Sequence, residues 1–207
     1  MNASDRLTDR KRRAILDAAA EEFRAHGFDA TSMDKIAAKA EVSKRTVYNH
    51  FPSKEELFGE TLVQLFHGSL AALDLPYRAD QPLRPQLTEL MNQKMRMLAD
   101  QNFLDLARVA IAEAIHFPDR ARLIVGRLSE REEGLTVWIR AAQADGRLKG
   151  SDPAFAATLL HGQVKAMAFW PQVTMGMPPL APDMQAPLVE AVVSMFLSYF
   201  AQEKQAA

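Results

Sequence analysis

The stretch "EVSKRTVYNHFPSKEEL", Glu41 to Leu57, decides how the rest of the chain is read. It gathers Lys44, Arg45, Tyr48, Asn49, His50 and Lys54, and only Val42, Val47, Phe51 and Leu57 suit a core. Ser43 predicts a helix N-cap, Pro52 ends that helix near Phe51, and Ser53 with Glu56 reads as the capping box of the next one. The helix so framed is too polar to contribute much core. Lys44 and Arg45 in its first turn oppose the helix dipole at a cost of a few tenths of a kcal/mol. Both features make sense if the helix presents its N-terminal side chains to the major groove of DNA, as the second helix of a helix–turn–helix does. Arg45 can then bond guanine in bidentate fashion and Asn49 adenine, while Tyr48, His50 and Lys54 suit phosphate oxygens.

Working outward, Ile15, Leu16, Ala19 and Phe23 mark one face of a first helix, which His26-Gly27 ends, with Gly27 in a left-handed C′ turn and Phe28 folded back on Phe23. Thr31 can cap a second helix that turns Ile36, Ala37 and Ala40 inward. A fourth helix carries Leu57, Phe58, Leu62, Leu65, Phe66, Leu70 and Leu73 until Pro76. Beyond the proline-rich joint "PYRADQPLRP", helical spacing continues through "LTELMNQKMRMLAD", "FLDLARVAIAEAIHF", the long "ARLIVGRLSEREEGLTVWIRAAQA", "AFAATLLHGQVKAMAFW" and "LVEAVVSMFLSYFAQ". Asp152 and Pro153 open one of these helices, and "PQVTMGMPPLAPD" reads as a loop. The chain is therefore expected to be all-α, with about nine helices. Residues 1–55 are expected to form the reading head and residues 56–207 a second, helical domain.

Composition narrows the classes. The 207 residues carry a net charge of −1, are 48% hydrophobic and contain no cysteine. Disulfides and thiolate metal sites are excluded, no apolar run approaches the ~20 residues of a membrane span, and the polar start lacks a secretory h-region, so a cytoplasmic protein is expected. Up to Lys54 there are 11 basic and 8 acidic residues, so the slight acidity of the whole hides a basic front. His26, His50, His67, His116 and His161 are scattered without metal-ligand spacing, and no nucleophile motif occurs; neither metal, cofactor nor catalytic residues are expected.

The ordered set Ile15–Ala18–Ala19–Phe23, Gly27-Phe28, Thr31-Ser32, Ile36-Ala37, Val42-Ser43, Thr46-Val47-Tyr48, His50-Phe51 and Ser53-Lys54 resembles the DNA-binding domain of the TetR family of bacterial regulators, without a gap from Arg12 to Phe58. "FWPQVTMG" and "AQADGRL" resemble the AefR-like subgroup. The resemblance implies a homodimer on double-stranded, pseudo-palindromic operator DNA, more often a repressor, and a second domain that holds a small-molecule inducer. By position, Thr31 and Ser32 resemble backbone contacts; Lys44, Arg45, Thr46 and Asn49 groove-facing positions; Tyr48, His50 and Lys54 phosphate contacts. Glu41 departs from the pattern, since glycine is usual there.

In the second domain, Phe103, Trp138, His161, Lys165 and Trp170 are the candidate lining of a pocket for a small, mostly hydrophobic effector; plain core packing is the competing reading. Leu188, Val192, Met195, Phe196 and Tyr199 form a wide apolar stripe on the last helix, which either pairs with a second protomer or packs inside its own. The small residues Ala156, Gly162 and Ala166 of the preceding helix allow a close approach. A helical adaptor whose second domain binds a protein is the competing function.

Overall fold

The computed structural model describes residues 3–71, 75–128 and 134–202. Among them the regular structure is helical: α1 (Ala3–Ala30), α2 (Met33–Lys39), α3 (Lys44–His50), α4 (Lys54–Ala71), α5 (Leu83–Leu98), α6 (Gln101–His116), α7 (Pro118–Leu128), α8 (Gly134–Ala144), α9 (Pro153–Ala168), α10 (Trp170–Met175) and α11 (Pro182–Phe200). One isolated antiparallel bridge, Leu148 to Ala201, is the described β-type pairing. The long helix read over "ARLIVGRLSEREEGLTVWIRAAQA" is described as α7 and α8, on either side of residues 129–133. The short α10 lies within the segment read as a loop. The expected run of α4 to Leu73 falls outside the described residues.

The chain forms two compact units, one of Met1–His67 with Asp105–Leu128, the other of Gly68–Leu104 with Ser129–Ala207. The division expected between residues 55 and 56 thus falls inside the first unit, because Leu57, Phe58 and Leu62 of α4 and Leu106 of α6 are buried in its core. The centre of that core is a set of three rings: Phe23 and Phe58 meet edge-on at 4.9 Å, Phe28 and Phe58 at 5.1 Å, and Phe28 stacks on Phe23 at 5.8 Å. Burying such a ring stabilises the fold by about 1.5–3 kcal/mol. Phe28 reaches the cluster because the chain bends sharply at Gly27, with φ 75° and ψ 178°. That is not the left-handed turn expected there but a region open essentially to glycine alone.

Local chemistry sets the helix starts. Ser43 Oγ accepts from the Thr46 N–H at 3.1 Å, Ser53 Oγ from the Glu56 N–H at 3.1 Å, and Asp152 from the Ala154 N–H at 3.0 Å. The cap of α2 is Ser32 rather than Thr31: Ser32 Oγ accepts from the Lys35 N–H at 3.3 Å. Thr31 is buried, and its hydroxyl donates to the carbonyls of Gly27 at 2.8 Å and Glu22 at 3.1 Å. The α2–α3 turn closes with the N–H of Val42 donating to Ala37 O at 3.0 Å and that of Glu41 to Ala38 O at 3.2 Å. These are the two bonds of a Schellman motif, whose C′ residue takes a positive φ. Glu41 holds that place at φ 54°.

In the second unit, α5, α8, α9 and α11 pack together. Trp138 is buried in it, meeting Tyr77 edge-on at 5.5 Å and donating its indole N–H to Gln86 Oε1 at 3.2 Å. Gln86 also accepts from the Arg78 N–H at 2.8 Å and donates to the carbonyls of Arg78, Pro82 and Gln81. The proline-rich joint is thereby tied to this unit through one buried amide. The Tyr77 hydroxyl donates to Asp145 at 2.6 Å; burial first, then the Asp145 carboxylate, raise its pKa.

Gly27 and Glu41, both at positive φ, predict opposite responses. Gly27→Ala forces a Cβ into a glycine-only region and lowers unfolding free energy by at least about 1 kcal/mol. Glu41→Gly relieves a left-handed non-glycine residue and leaves stability unchanged or raised by up to about 1 kcal/mol. Urea melts of the two variants beside the parent chain measure both.

Candidate nucleic-acid interface

α3 is a seven-residue helix that buries one side chain, Val47. Val47 joins the buried core of the first unit, so the helix turns much of the rest of its surface away from that core. Lys44, Arg45, Tyr48 and Asn49 are exposed, and Thr46 and His50 are half-buried. On a 3.6-residue period Lys44 lies above Tyr48 and Arg45 above Asn49, giving a two-column face of cations, an amide and a phenol. A B-DNA major groove about 12 Å wide admits such a helix. Thr46 is half-buried because its hydroxyl meets Ser43 Oγ at 2.8 Å, and it supports the cap.

Not every cation here is turned outward. Lys44 pairs with Asp34 of α2 at 2.8 Å, and that hydrogen bond and charge raise its pKa. Both groups are well exposed, so water screens the pair and a phosphate can replace the carboxylate. Lys39 is held by Glu21 at 2.9 Å and Glu22 at 3.3 Å, and the same contact lowers the pKa of Glu21. Arg12 pairs with Glu60 and lies over the ring of Phe51 at 5.1 Å. Lys54 turns inward onto backbone carbonyls of Phe28, Asp29 and Thr31. Of the two residues read as backbone contacts at the second helix, Ser32 is exposed at the N-terminus of α2, whereas the Thr31 hydroxyl is occupied inside.

Sequence reading missed Asp34 as the partner of Lys44. The two are ten residues apart on different helices, and only the Schellman turn brings them together. It also did not single out the exposed Arg10, Lys11 and Arg13 of α1, whose run of charge was the available signal.

In the second unit, the five residues read as an effector pocket do not form one lining. Phe103 and Trp170 lie on either side of Phe169, at 6.2 and 5.1 Å between ring centroids. Trp138 instead belongs to the Tyr77–Gln86 set and is 1% exposed, a core indole with its N–H satisfied. His161 is buried on α9 and Lys165, one turn on, is half-buried.

The stripe on α11 divides. Leu188, Val192 and Phe196 are buried within the protomer, Phe196 at the base of an open groove. Met195 and Tyr199 are 52% and 67% exposed, and with Phe155 and Leu159 of α9 they line an open groove of about 290 Å³. Gly162 is exposed on the same helix, with open space where a Cβ would stand, whereas Ala156 is buried. Among the described residues no group of three potential metal ligands occurs, and no helix is long and apolar enough to cross a membrane.

Residues 15–61 match the family described as bacterial regulatory proteins, tetR family, and residues 85–202 match the C-terminal domain of AefR-like transcriptional repressors. The HTH-type transcriptional regulator YhgD of Bacillus subtilis is 29% identical over 196 residues, covering 92% of this chain and 97% of its own length. A TetR family transcriptional regulator from Pseudomonas syringae pv. tomato is similar in structure, with a TM-score of 0.79 and 51% identity over 94% of this chain and 99% of its own. The flavonoid-responsive regulator FrrA is similar at a TM-score of 0.77 and 29% identity, over 96% of this chain and 100% of its own.

The inward hydroxyl of Thr31 makes a stability prediction. Thr31→Val removes a donor from two carbonyls while keeping the side-chain shape, and lowers unfolding free energy by about 1–3 kcal/mol. Thermal and urea melts measure the loss.

Proposed function

We propose that this chain, a DNA-binding transcriptional regulator that belongs to the TetR family and carries an AefR-like C-terminal domain, works as a homodimeric repressor in the cytoplasm. Its two α3 helices read the half-sites of a pseudo-palindromic operator, and a small, mostly hydrophobic effector bound in the second unit releases it.

The outward face of α3 carries this reading: Lys44, Arg45, Tyr48 and Asn49 stand exposed on a helix anchored by one buried valine. Arg45 is the side chain for a guanine edge and Asn49 for adenine, with Lys44 leaving Asp34 for DNA. Ser32, Tyr48 and His50 suit phosphates, which fix register without reading sequence. Dimerisation is supported by the apolar groove between α9 and α11, where Phe155, Leu159, Met195 and Tyr199 are exposed together. A second copy of the same groove buries them by two-fold symmetry. The two reading heads then meet successive major grooves about 34 Å apart.

For the effector, the ring series Phe103–Phe169–Trp170 offers aromatic surface, and His161 and Lys165 of α9 supply polar anchors. Together with the name of the flavonoid-responsive relative, this favours a planar aromatic compound with hydroxyl groups. Releasing the operator 100-fold requires the effector to prefer the non-binding conformation by about 2.7 kcal/mol.

A duplex selected by the wild-type protein from a random library tests the DNA face. Arg45→Ala weakens that duplex by about 1–3 kcal/mol and relaxes specificity at one position per half-site, while Tyr48→Phe weakens all sequences evenly. Unchanged affinity for both Lys44→Ala and Arg45→Ala at fixed salt places the reading face elsewhere. For the groove, Met195→Glu with Tyr199→Glu produces a folded monomer in sedimentation and sharply reduces duplex binding. A wild type that sediments as a monomer at micromolar concentration refutes the dimer.

A further inference from the structure

A helix leaves its final carbonyls without partners of its own, and the last turn of α11 holds no basic residue to meet them. The partners come from the turn between α8 and α9. The Lys149 N–H donates to Phe200 O at 2.7 Å and the Gln202 N–H to Arg147 O at 2.9 Å, with Leu148 paired to Ala201 between them. The Lys149 ammonium, from 50 residues earlier in the chain, donates to Tyr199 O. A cation there also suits the negative end of the helix dipole. On its other side Lys149 is fixed by the Gln143 amide, which donates to the carbonyls of Lys149 at 2.9 Å and Ser151 at 3.1 Å.

The same ammonium has a second neighbour. It lies 5.2 Å from the centroid of the Tyr199 ring, within cation–π range. That ring meets Phe200 edge-on at 4.7 Å, and Phe200 meets Phe196 at 4.7 Å, so one aromatic series runs from the rim of the α9–α11 groove to its base. Phe196 and Phe200 are buried and held by packing, whereas Tyr199 is 67% exposed. A ring so open turns freely unless something holds it, and ordering it at an interface costs conformational entropy. The ammonium, itself anchored through the backbone at Phe200 and Gln143, holds it before a partner arrives.

We propose that Lys149 is a positioning residue for the dimer surface: its ammonium caps α11 and sets the Tyr199 ring as one wall of the groove. The inference rests on the dimer reading above. Lys149 acts through that ring, and two-fold symmetry uses the device twice in each dimer.

Fluorescence-detected sedimentation from nanomolar to micromolar concentration gives the dimer dissociation constant of wild type, Lys149→Met, Lys149→Arg, Tyr199→Leu and the Lys149→Met, Tyr199→Leu double variant. Lys149→Met keeps the backbone pairing but loses the cation, and raises the constant about 5- to 30-fold, the scale of two exposed cation–π contacts. Lys149→Arg stays within about twofold of wild type, because a guanidinium also stacks on an aromatic face. With Tyr199→Leu already present, adding Lys149→Met changes the constant by less than about twofold. Equal losses from Lys149→Met in both backgrounds mean that the ammonium serves the helix cap alone or meets the partner directly, and they overturn the proposal. So does a Lys149→Met chain that dimerises like wild type, or a Lys149→Arg chain as weak as Lys149→Met. Proton spectra give a second readout: the Lys149 side-chain methylenes shift upfield in wild type and not in Tyr199→Leu, and no such difference also overturns the proposal. A wild type that is monomeric throughout refutes the dimer reading and the proposal with it, whereas a dimer indifferent to Lys149 refutes the proposal alone.

Discussion

A seven-residue helix that buries one side chain has no stability of its own. Everything distinctive in the first unit follows from having to hold such a helix firmly while leaving its surface bare. α3 contributes Val47 to the core and Phe51 at its end. The remaining constraint comes from outside: Ser43 caps its start, and the Schellman turn fixes the chain that leads into it. The helix packs on α2, and Val47 enters the same buried core as the Phe23, Phe28 and Phe58 rings. The glycine-only bend at Gly27 belongs to the same scheme, because it brings Phe28 back to the rings of Phe23 and Phe58 in that core. Glu41, by contrast, keeps a strained conformation where a glycine would sit freely, and the two hydrogen bonds flanking it hold the turn closed.

The same unit sorts its cations by environment. Arg12 and Lys39 are matched with carboxylates of neighbouring helices; these groups tie helices together. Lys44 is paired with an exposed aspartate in a contact that water weakens, and Arg45 stands in the open, so these two remain available to a polyanion. A nearly neutral chain can thus present a basic face without a large basic excess, since what matters is which positive charges are already spent.

Much of this was legible because helix caps are local chemistry. Ser43, Ser53 and Asp152 each announce a helix within three residues, and all three caps are present. Thr31 and Ser32 show the limit. Both are good caps, and which one turns outward depends on carbonyls of Gly27 and Glu22 that α1 brings up from earlier in the chain. The last helix shows another. Its apolar stripe is broad enough to serve two surfaces, and sequence period alone does not assign Val192 to the interior and Met195 and Tyr199 to the open face of the groove. Trp138 is a third case: an indole suits a ligand pocket or a core equally, and only the Gln86 acceptor, 52 residues away, decides for the core. Asp34 went unnoticed for a similar reason, since its pairing with Lys44 exists only once the turn is formed.

The central claim is that the exposed columns of α3 are the surface that meets DNA. The most direct measurement is the backbone amide spectrum of isotope-labelled protein titrated with a duplex it has selected. The largest shift changes are expected at Ser32 and through Lys44–His50, with Thr31 and Val47 following only as neighbours. Binding that leaves Lys44–His50 unshifted, with the changes gathered in α9 and α11 instead, would contradict it.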